Sequence, residues 1–265
     1  TRLSSRFYKK MKIAVLTKAI PKVDSLKINS SETWIDDSNV KFVMNEHDTY
    51  ALEEALLIKE ELDNNSEVVA ITMGAQKSSN QIISEALAKG ADRGIIIEND
   101  TKITDPLVFA KIFSEQIREE KFDLIFCGLA SYDLGSGQTS VLIGEILGMT
   151  TATFAIGTKI ESNHIKVKKE LESGYSQWIR MSLPASISIQ SGLNNPRYPS
   201  LKGIMSAKSK EVKVKTIDSN FSEMQGFTKF FVPKNEKQTE YIEGDVEDVS
   251  NKIIDILKNE LKLIT

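Results

Sequence analysis

The residue types best suited to ligand binding lie together in one glycine-rich loop. It runs from Gly128 to Thr139, directly after an apolar run, and reads Gly-Leu-Ala-Ser-Tyr-Asp-Leu-Gly-Ser-Gly-Gln-Thr. Small residues let backbone N–H groups approach an anion closely, and the helix predicted to follow adds roughly half a positive charge at its N-terminus. The loop is therefore typical of a phosphate site. Its spacing matches neither the dinucleotide fingerprint nor the P-loop, whose lysine is missing, so an ordinary strand-to-helix turn is the alternative.

Reactive side chains are scarce around this loop. Asp133 could accept a hydrogen bond from a ribose hydroxyl or could cap the turn. Cys127, at a predicted strand end, is interpreted as a small buried hydrophobe rather than a nucleophile. His47 is interpreted as a surface or helix-cap residue, and His164 as a solvated turn residue. The sequence contains no nucleophile elbow, no HExxH and no suggestive carboxylate pair, which favours a binding or carrier subunit.

Composition excludes several classes of protein. The chain has 265 residues, of which 40% are hydrophobic and 27% charged, an ordinary globular balance. Lys and Arg total 34 against 37 for Asp and Glu, so the net charge of -3 argues against nucleic acid as a partner. One cysteine and two histidines argue against disulfides and against zinc or other His-rich metal sites. No apolar run reaches 18 residues, so membrane insertion is not expected.

Strands and helices alternate through the first 150 residues. Apolar runs predict buried strands at residues 13–16, 68–73, 95–97 and 123–127. The intervening helices are marked by their ends: a cap at Asn45 or Asp48, a capping box of Ser78 with Gln81, a stop at Gly90, a start at Asp105-Pro106, and a helix at 139–147 closing at Gly148.

This order predicts an α/β fold, a mostly parallel Rossmann-like sheet with helices on both faces. Ligands of such sheets bind outside the carboxyl ends of the strands. The candidate binding segments are therefore those that follow Leu16, Met73 and Cys127.

The second half of the chain has a different pattern. Residues 153–183 are predicted to form antiparallel strands with turns near 161–164 and 173–174, and further strands are expected at 186–190 and 212–215. A short helix is expected near 201–208 and an amphipathic helix over 246–263. We expect residues 1–10 to be a disordered extension or tag, 11–220 to form the base domain, and 221–265 to form a C-terminal arm.

A stiff loop precedes the short helix. Pro196 and Pro199 bracket Arg197 and Tyr198, which restricts the backbone and delays the helix. Such a loop suits protein docking, with a structural crossover as the alternative.

These motifs resemble the β subunit of electron-transfer flavoproteins. The family's signature, N-x-P-R-Y-x-x-L-x-x-I-M-x-A, is present from Asn194 to Ala207, and the resemblance runs from Met11 almost to the end. Supporting matches are Met44-Asn45, Gly90-Ala-Asp-Arg93, and the Gly128, Asp133 and Gln138-Thr139 positions of the loop. Ser191-Gly192 and the run Phe230-Phe231-Val232-Pro233 look most like the form that methylotrophic bacteria pair with trimethylamine dehydrogenase.

The resemblance implies a heterodimer in which an α subunit holds most of the FAD and this subunit holds a structural AMP. By matched position, the AMP contacts would be Leu16, Asn45, Glu46, His47, Asp48, Met73, Gly128, Leu129, Ala130, Ser131, Tyr132, Asp133, Leu134, Gly135, Ser136, Gly137, Gln138 and Thr139. The loop that docks flavin dehydrogenases would be Arg197, Tyr198, Pro199, Ser200, Leu201, Lys202, Gly203, Ile204 and Met205, with Leu201 as its anchor. The arm would contact the α subunit.

The function that this implies is electron transfer from flavin dehydrogenases to a downstream acceptor, by a subunit that is not an enzyme alone. One alternative is a bifurcating type with a second FAD in place of AMP, although its Asp-Gly-Asp-Thr-Ala-Gln-Val-Gly type of loop is missing. Another is a nucleotide-sensing module of the universal-stress type. The lack of a secretory signal and of disulfides favours the bacterial cytoplasm, and a processed protein of the mitochondrial matrix would look similar.

Overall fold

A nine-stranded sheet forms the centre of the fold. The computed structural model describes residues 10–22, 26–36, 38–62, 65–217, 221–233 and 239–264. The extension expected at residues 1–10 lies outside this part of the chain, except for Lys10.

The strands and helices follow the order expected from the sequence. The strands are β1 (Lys12–Leu16), β2 (Ala19–Pro21), β3 (Phe42–Met44), β4 (Glu67–Gly74), β5 (Arg93–Glu98), β6 (Leu124–Gly128), β7 (Thr150–Glu161), β8 (His164–Glu170), β9 (Ser176–Ser182), β10 (Ala185–Ile189) and β11 (Val212–Thr216). The helices are α1 (Glu46–Glu61), α2 (Gln76–Lys89), α3 (Pro106–Ile117), α4 (Thr139–Leu147), α5 (Leu201–Ala207) and α6 (Val246–Asp255).

The sheet has the order β11-β5-β4-β1-β6-β10-β7-β8-β9. Neighbours pair in parallel from β11 to β7, and β8 and β9 extend the sheet as antiparallel strands. β2 and β3 form a separate antiparallel pair. From β1 the chain adds β4 and β5 on one side and β6 on the other, so the strand order reverses between β1 and β6. In an open α/β sheet this is the place where a ligand crevice forms.

Helices cover both faces of the parallel strands. α1 and α2 pack with one buried cluster and α3 and α4 with another. The side chains of Ile13, Ala14 and Val15 are fully buried although they alternate between the two faces of β1. This explains why the parallel strands read as continuous apolar runs. The predicted α/β fold class is confirmed.

Most of the predicted helix ends are confirmed. Asp105 accepts a hydrogen bond from the backbone N–H of Leu107 at 2.8 Å, and Pro106 takes the first position of α3. Gly90 ends α2 with φ 136°, and Gly148 ends α4 with φ 69°, conformations that favour glycine.

The capping box of Ser78 and Gln81 is wrong. Gly74, with φ 150°, turns the chain at the end of β4, so α2 begins at Gln76 and Ser78 lies inside its first turn. The Ser78 hydroxyl donates to the carbonyl of Ala75, and the Gln81 amide donates to the carbonyl of Phe42.

The expected antiparallel region begins differently from the prediction. Residues Thr150 to Ala155 of β7 pair in parallel with β10, and only the later part of β7 pairs antiparallel with β8. The register shifts in both pairings near Ala155, where one strand changes from one partner to the other.

The chain divides into two compact units, residues 1–230 and 231–265. In the second unit the side chain of Asp245 caps α6 by accepting from the N–H groups of Glu247 and Asp248. The helix continues as a π-helical turn over Ile256–Glu260, so helical structure ends before residue 263, the predicted end. Of the helices in the described ranges, none combines the length and apolar character needed to cross a membrane.

An ion-pair network joins the amino ends of β1 and β5. The Glu120 carboxylate lies 2.6 Å from Nζ of Lys12 and 2.7 Å from Nη2 of Arg93. Burial disfavours ionisation of Glu120, but the hydrogen bonds from Lys12 and Arg93 outweigh it and lower its pKa to about 2.

We therefore expect Glu120→Gln to lower the free energy of unfolding at pH 7 by about 1 kcal/mol, since the pairs are partly screened by solvent. A lowered pKa stabilises the fold above the ordinary pKa of 4.5, and this contribution is lost as the pH falls toward 2. Urea unfolding at several pH values should show the two proteins converging in acid. Glu119→Gln, at the exposed neighbouring position, is the control; an equal loss there, or a pH-independent difference, would contradict this account.

Candidate functional site

A cavity opens at the carboxyl ends of β1 and β6, where the strand order reverses. It comprises about 720 Å³ of empty space, part of it open to solvent. One part of its lining is apolar and includes Ile103, Pro106, Phe109 and Phe113 from α3 and the residues before it. The glycine-rich loop and α4 contribute to the rest, so the cavity combines an apolar surface with backbone and polar groups.

Many of the residues predicted to bind a nucleotide meet in this cavity. Those in its lining are Leu16, Asn45, Asp48, Gly128, Leu129, Ala130, Ser131, Leu134, Ser136, Gly137 and Thr139. Those outside the lining are Glu46, His47, Met73, Tyr132, Asp133, Gly135 and Gln138. Met73 belongs to β4, which lies on the other side of β1 from β6 and so is one strand away from the reversal.

The side chain of Asp48 joins the carboxyl ends of β1 and β6 beside the cavity. Its buried carboxylate accepts hydrogen bonds from the backbone N–H of Lys18, at 2.8 Å, and of Gly128, at 3.0 Å. Burial raises the pKa of Asp48 to about 6 despite these bonds. A side chain at position 128 would overlap Asp48 and His47, so glycine is required for this close approach.

Asn45 and His47 hold the glycine-rich loop. Asn45 occupies the residue before α1 but does not cap the helix; its amide donates to the carbonyl of Ala130 at 3.0 Å and accepts from the N–H of Tyr132 at 3.2 Å. Nδ1 of His47 donates to the same carbonyl at 2.8 Å, and its ring stacks on Tyr132 with centroids 5.0 Å apart. Asn45 therefore stands at the predicted N-cap position of α1, but the predicted side-chain cap by Asn45 or Asp48 is wrong, because both side chains bind the loop or the strand ends. The interpretation of His47 as a surface or cap residue is wrong as well, because its ring binds the loop.

A lysine reaches the cavity from β1. Nζ of Lys18, two residues beyond that strand, lies 2.7 Å from the Asp133 carboxylate and 3.3 Å from the Ser131 hydroxyl. Asp133 also accepts from the N–H of Leu134 at 2.7 Å, so it caps its own turn as well. Sequence reasoning sought a lysine inside the loop and missed Lys18, although a basic residue just after an apolar run at a strand end was a usable signal.

The two remaining candidates for chemistry differ in placement. Cys127 lines the cavity, and burial raises the pKa of its thiol to about 12, so the thiol stays protonated near neutral pH. This agrees with its interpretation as a small buried side chain. His164 begins β8, and its Nδ1 accepts from the guanidinium of Arg180 at 3.2 Å. Within the ranges described, no three side chains of His, Cys, Asp or Glu form a group that could hold a metal ion.

The predicted docking loop lies on the surface at the start of α5. Tyr198, Leu201 and Met205 are 94%, 82% and 75% exposed. Ser200 caps α5 by accepting from the N–H of Gly203 at 3.0 Å. The other members of the loop are exposed at Lys202 and Ile204 and half-buried at Arg197, Pro199 and Gly203.

Comparison with known proteins identifies the family of this chain. The family model described as the electron transfer flavoprotein domain matches residues 33–220. The electron transfer flavoprotein subunit beta of Methylophilus methylotrophus is 31% identical, over 95% of this chain and 99% of its own length. The Dictyostelium discoideum protein of that name is 36% identical over 73% of this chain and 76% of its own. The mitochondrial Arabidopsis thaliana protein is 37% identical over 78% and 82%. The chain therefore belongs to the electron transfer flavoprotein family and is one of its β subunits.

Proposed function

We propose that the cavity between β1 and β6 holds AMP, and that the protein works with an α subunit as an electron carrier. A β subunit implies an α subunit, and we assign most of the FAD to that partner, where it would supply the redox chemistry. The carrier would take electrons from flavin dehydrogenases and pass them to a downstream acceptor. The observation that carries the AMP assignment is the mixed lining of the cavity at the strand-order reversal.

The lining suits the parts of a mononucleotide. The surface formed by Ile103, Pro106 and Phe109 is suited to an adenine ring, whereas the hydroxyl of Ser136 offers a polar group for ribose. The first N–H groups of a helix have no partner within it, and Thr139 brings those of α4 to the cavity. The ammonium of Lys18 has three hydrogen-bond donors, of which Asp133 and Ser131 use two, and the third together with these N–H groups suits a phosphate.

The two alternative functions are not equally supported. Family membership leaves a universal-stress sensor without support. A bifurcating subunit with a second FAD remains the competing occupant of the same cavity, although the loop sequence from Gly128 to Thr139 differs from the loop of that branch. The likeness to the methylotroph form rests on Ser191-Gly192 and on residues 230–233, and the cytoplasm is still our predicted location.

The partner surfaces are assigned to two regions. We assign dehydrogenase docking to residues 197–205, with Leu201 as the anchor, because its side chain is 82% exposed on a proline-stiffened segment. We assign α-subunit binding to the arm predicted at residues 221–265, of which residues 231–265 form the second compact unit. None of the residues of its amphipathic helix α6 is buried, and an apolar helix face requires a partner to cover it.

The nucleotide assignment predicts a phosphate-specific role for Lys18. Lys18→Met should weaken AMP binding by about tenfold, because a charge-assisted contact is lost, and should change adenosine binding little. The test is the rise in melting temperature of nucleotide-free protein with added AMP or adenosine, since a ligand of the folded state stabilises it by mass action. Equal weakening of both ligands would contradict a phosphate contact, and a wild-type protein unaffected by AMP would contradict the assignment.

The docking assignment predicts a large effect at Leu201. Leucine burial contributes about 1.5–3 kcal/mol, so Leu201→Ala should weaken docking by about ten- to a hundredfold. Melting temperature and flavin content should stay unchanged because the side chain is exposed in the free protein. Steady-state reduction by the cognate dehydrogenase at limiting carrier concentration is the assay. Leu171→Ala, at a partly exposed leucine elsewhere, is the control. Wild-type reduction of Leu201→Ala would contradict the anchor.

The arm assignment predicts that the first unit folds without the second. A chain ending at Phe230 should keep its nucleotide and melting temperature but should bind the α subunit at least about tenfold more weakly, because the face of α6 is gone. Co-elution with the α subunit and the FAD content of the complex measure this. A truncated heterodimer of normal affinity would give the arm another role.

A further inference from the structure

The buried carboxylate of Glu53 binds Arg197, the first residue of the docking segment (residues 197–205). Glu53 of α1 is 5% exposed, and three donors of Arg197 converge on it. Nε of Arg197 lies 2.8 Å from Oε2, Nη2 lies 2.8 Å from Oε1, and the backbone N–H donates to Oε2 at 3.0 Å. The paired side-chain bonds have the fork geometry that fixes orientation as well as position.

The guanidinium of Arg197 is therefore directed at its own subunit. Its remaining nitrogen, Nη1, lies 2.6 Å from the carboxylate of Glu60, which is on the same helix and half-exposed. The neighbouring side chain, Tyr198, is 94% exposed. The charged side chain of Arg197 is thus bound to its own subunit, whereas the large side chains of Tyr198 and Leu201 are exposed.

Other contacts hold the end of the docking segment and the residues on either side of it. The amide of Asn194 donates to the carboxylate of Glu54 at 3.0 Å. At the far end, Gly203 packs so closely on the carbonyl of Ala88 in α2 that a side chain there would overlap it. Nζ of Lys210 donates to the carbonyl of Ala91 at 2.6 Å. The segment is thus fastened at both ends, and its apolar tip remains free.

We propose that Glu53 is a positioning residue for partner docking, which acts by holding Arg197 and so fixes the segment that presents Leu201. Arg197 then serves inside the subunit rather than as a contact with the dehydrogenase. Docking loses little conformational entropy when the segment is already fixed. A change that frees the segment should therefore weaken binding even though it removes no contact with the dehydrogenase. This inference rests on the proposed docking function.

The test uses the heterodimer with Glu53→Gln, Arg197→Lys and their combination. Glu53→Gln keeps an acceptor for the backbone N–H of Arg197 but loses the charged fork, and Arg197→Lys keeps the charge but loses the fork. Glu60→Gln is the matched control, because it removes the exposed carboxylate from the same arginine. Hydrogen exchange of the amides of residues 194–201, without a dehydrogenase, should be about tenfold faster in the first two variants and within about twofold of wild type in the control.

Docking is then measured with the flavin dehydrogenase of the same organism that reduces the wild-type heterodimer. The KM for the carrier should rise about tenfold in Glu53→Gln, with kcat unchanged, and Arg197→Lys should cost nothing further in that background. An undiminished cost of Arg197→Lys in the double variant would make Arg197 a partner contact and overturn the proposal. Unchanged exchange in Glu53→Gln would overturn it as well.

A different result is expected if the docking assignment itself is wrong. If Leu201→Ala keeps the wild-type KM, the segment does not dock the dehydrogenase. Fast exchange in Glu53→Gln would then identify Glu53 as a purely structural anchor.

Discussion

The arrangement of the site depends on the carboxylate of Asp48. β1 and β6 are paired in parallel as far as Leu16 and Cys127, and the backbone N–H groups of Lys18 and Gly128 lie beyond the last pair. Asp48 accepts a hydrogen bond from each, and so joins the ends of β1 and β6 through the first turn of α1. The cost of burying this carboxylate is visible in its raised pKa, about 6. The strand ends, the loop and the helix are thereby held together around the cavity.

Helix α1 connects the cavity with the docking segment on the protein surface. Its first turn and the residue before it hold the glycine-rich loop, and its middle holds the docking segment through Glu53 and Glu54. A rigid helix packed on the sheet is well suited to this double role, because Ala51, Leu52 and Ala55 on its inner face are buried. The same helix thus holds both proposed functional regions, the nucleotide cavity and the docking segment.

The sequence predicted the fold well because burial on both faces gives parallel strands an unmistakable pattern. It also predicted the loop from Gly128 to Thr139 and the exposed tip at Leu201, since glycine and proline constrain the backbone locally. It did not predict Lys18 or the surface around Phe109, because Lys18 follows β1 and Phe109 belongs to α3, and the two come together only in the folded protein. Nor could it predict that Asn45 serves the loop instead of the helix, because both uses need the same side chain at the same position.

Identification of the ligand that the protein itself retains tests the central claim most directly. The heterodimer, purified without added nucleotide, is denatured and the released small molecules are identified and counted by mass spectrometry. The account predicts one AMP per β subunit together with one FAD per heterodimer. Two FAD molecules and no AMP, or ATP in place of AMP, would contradict it.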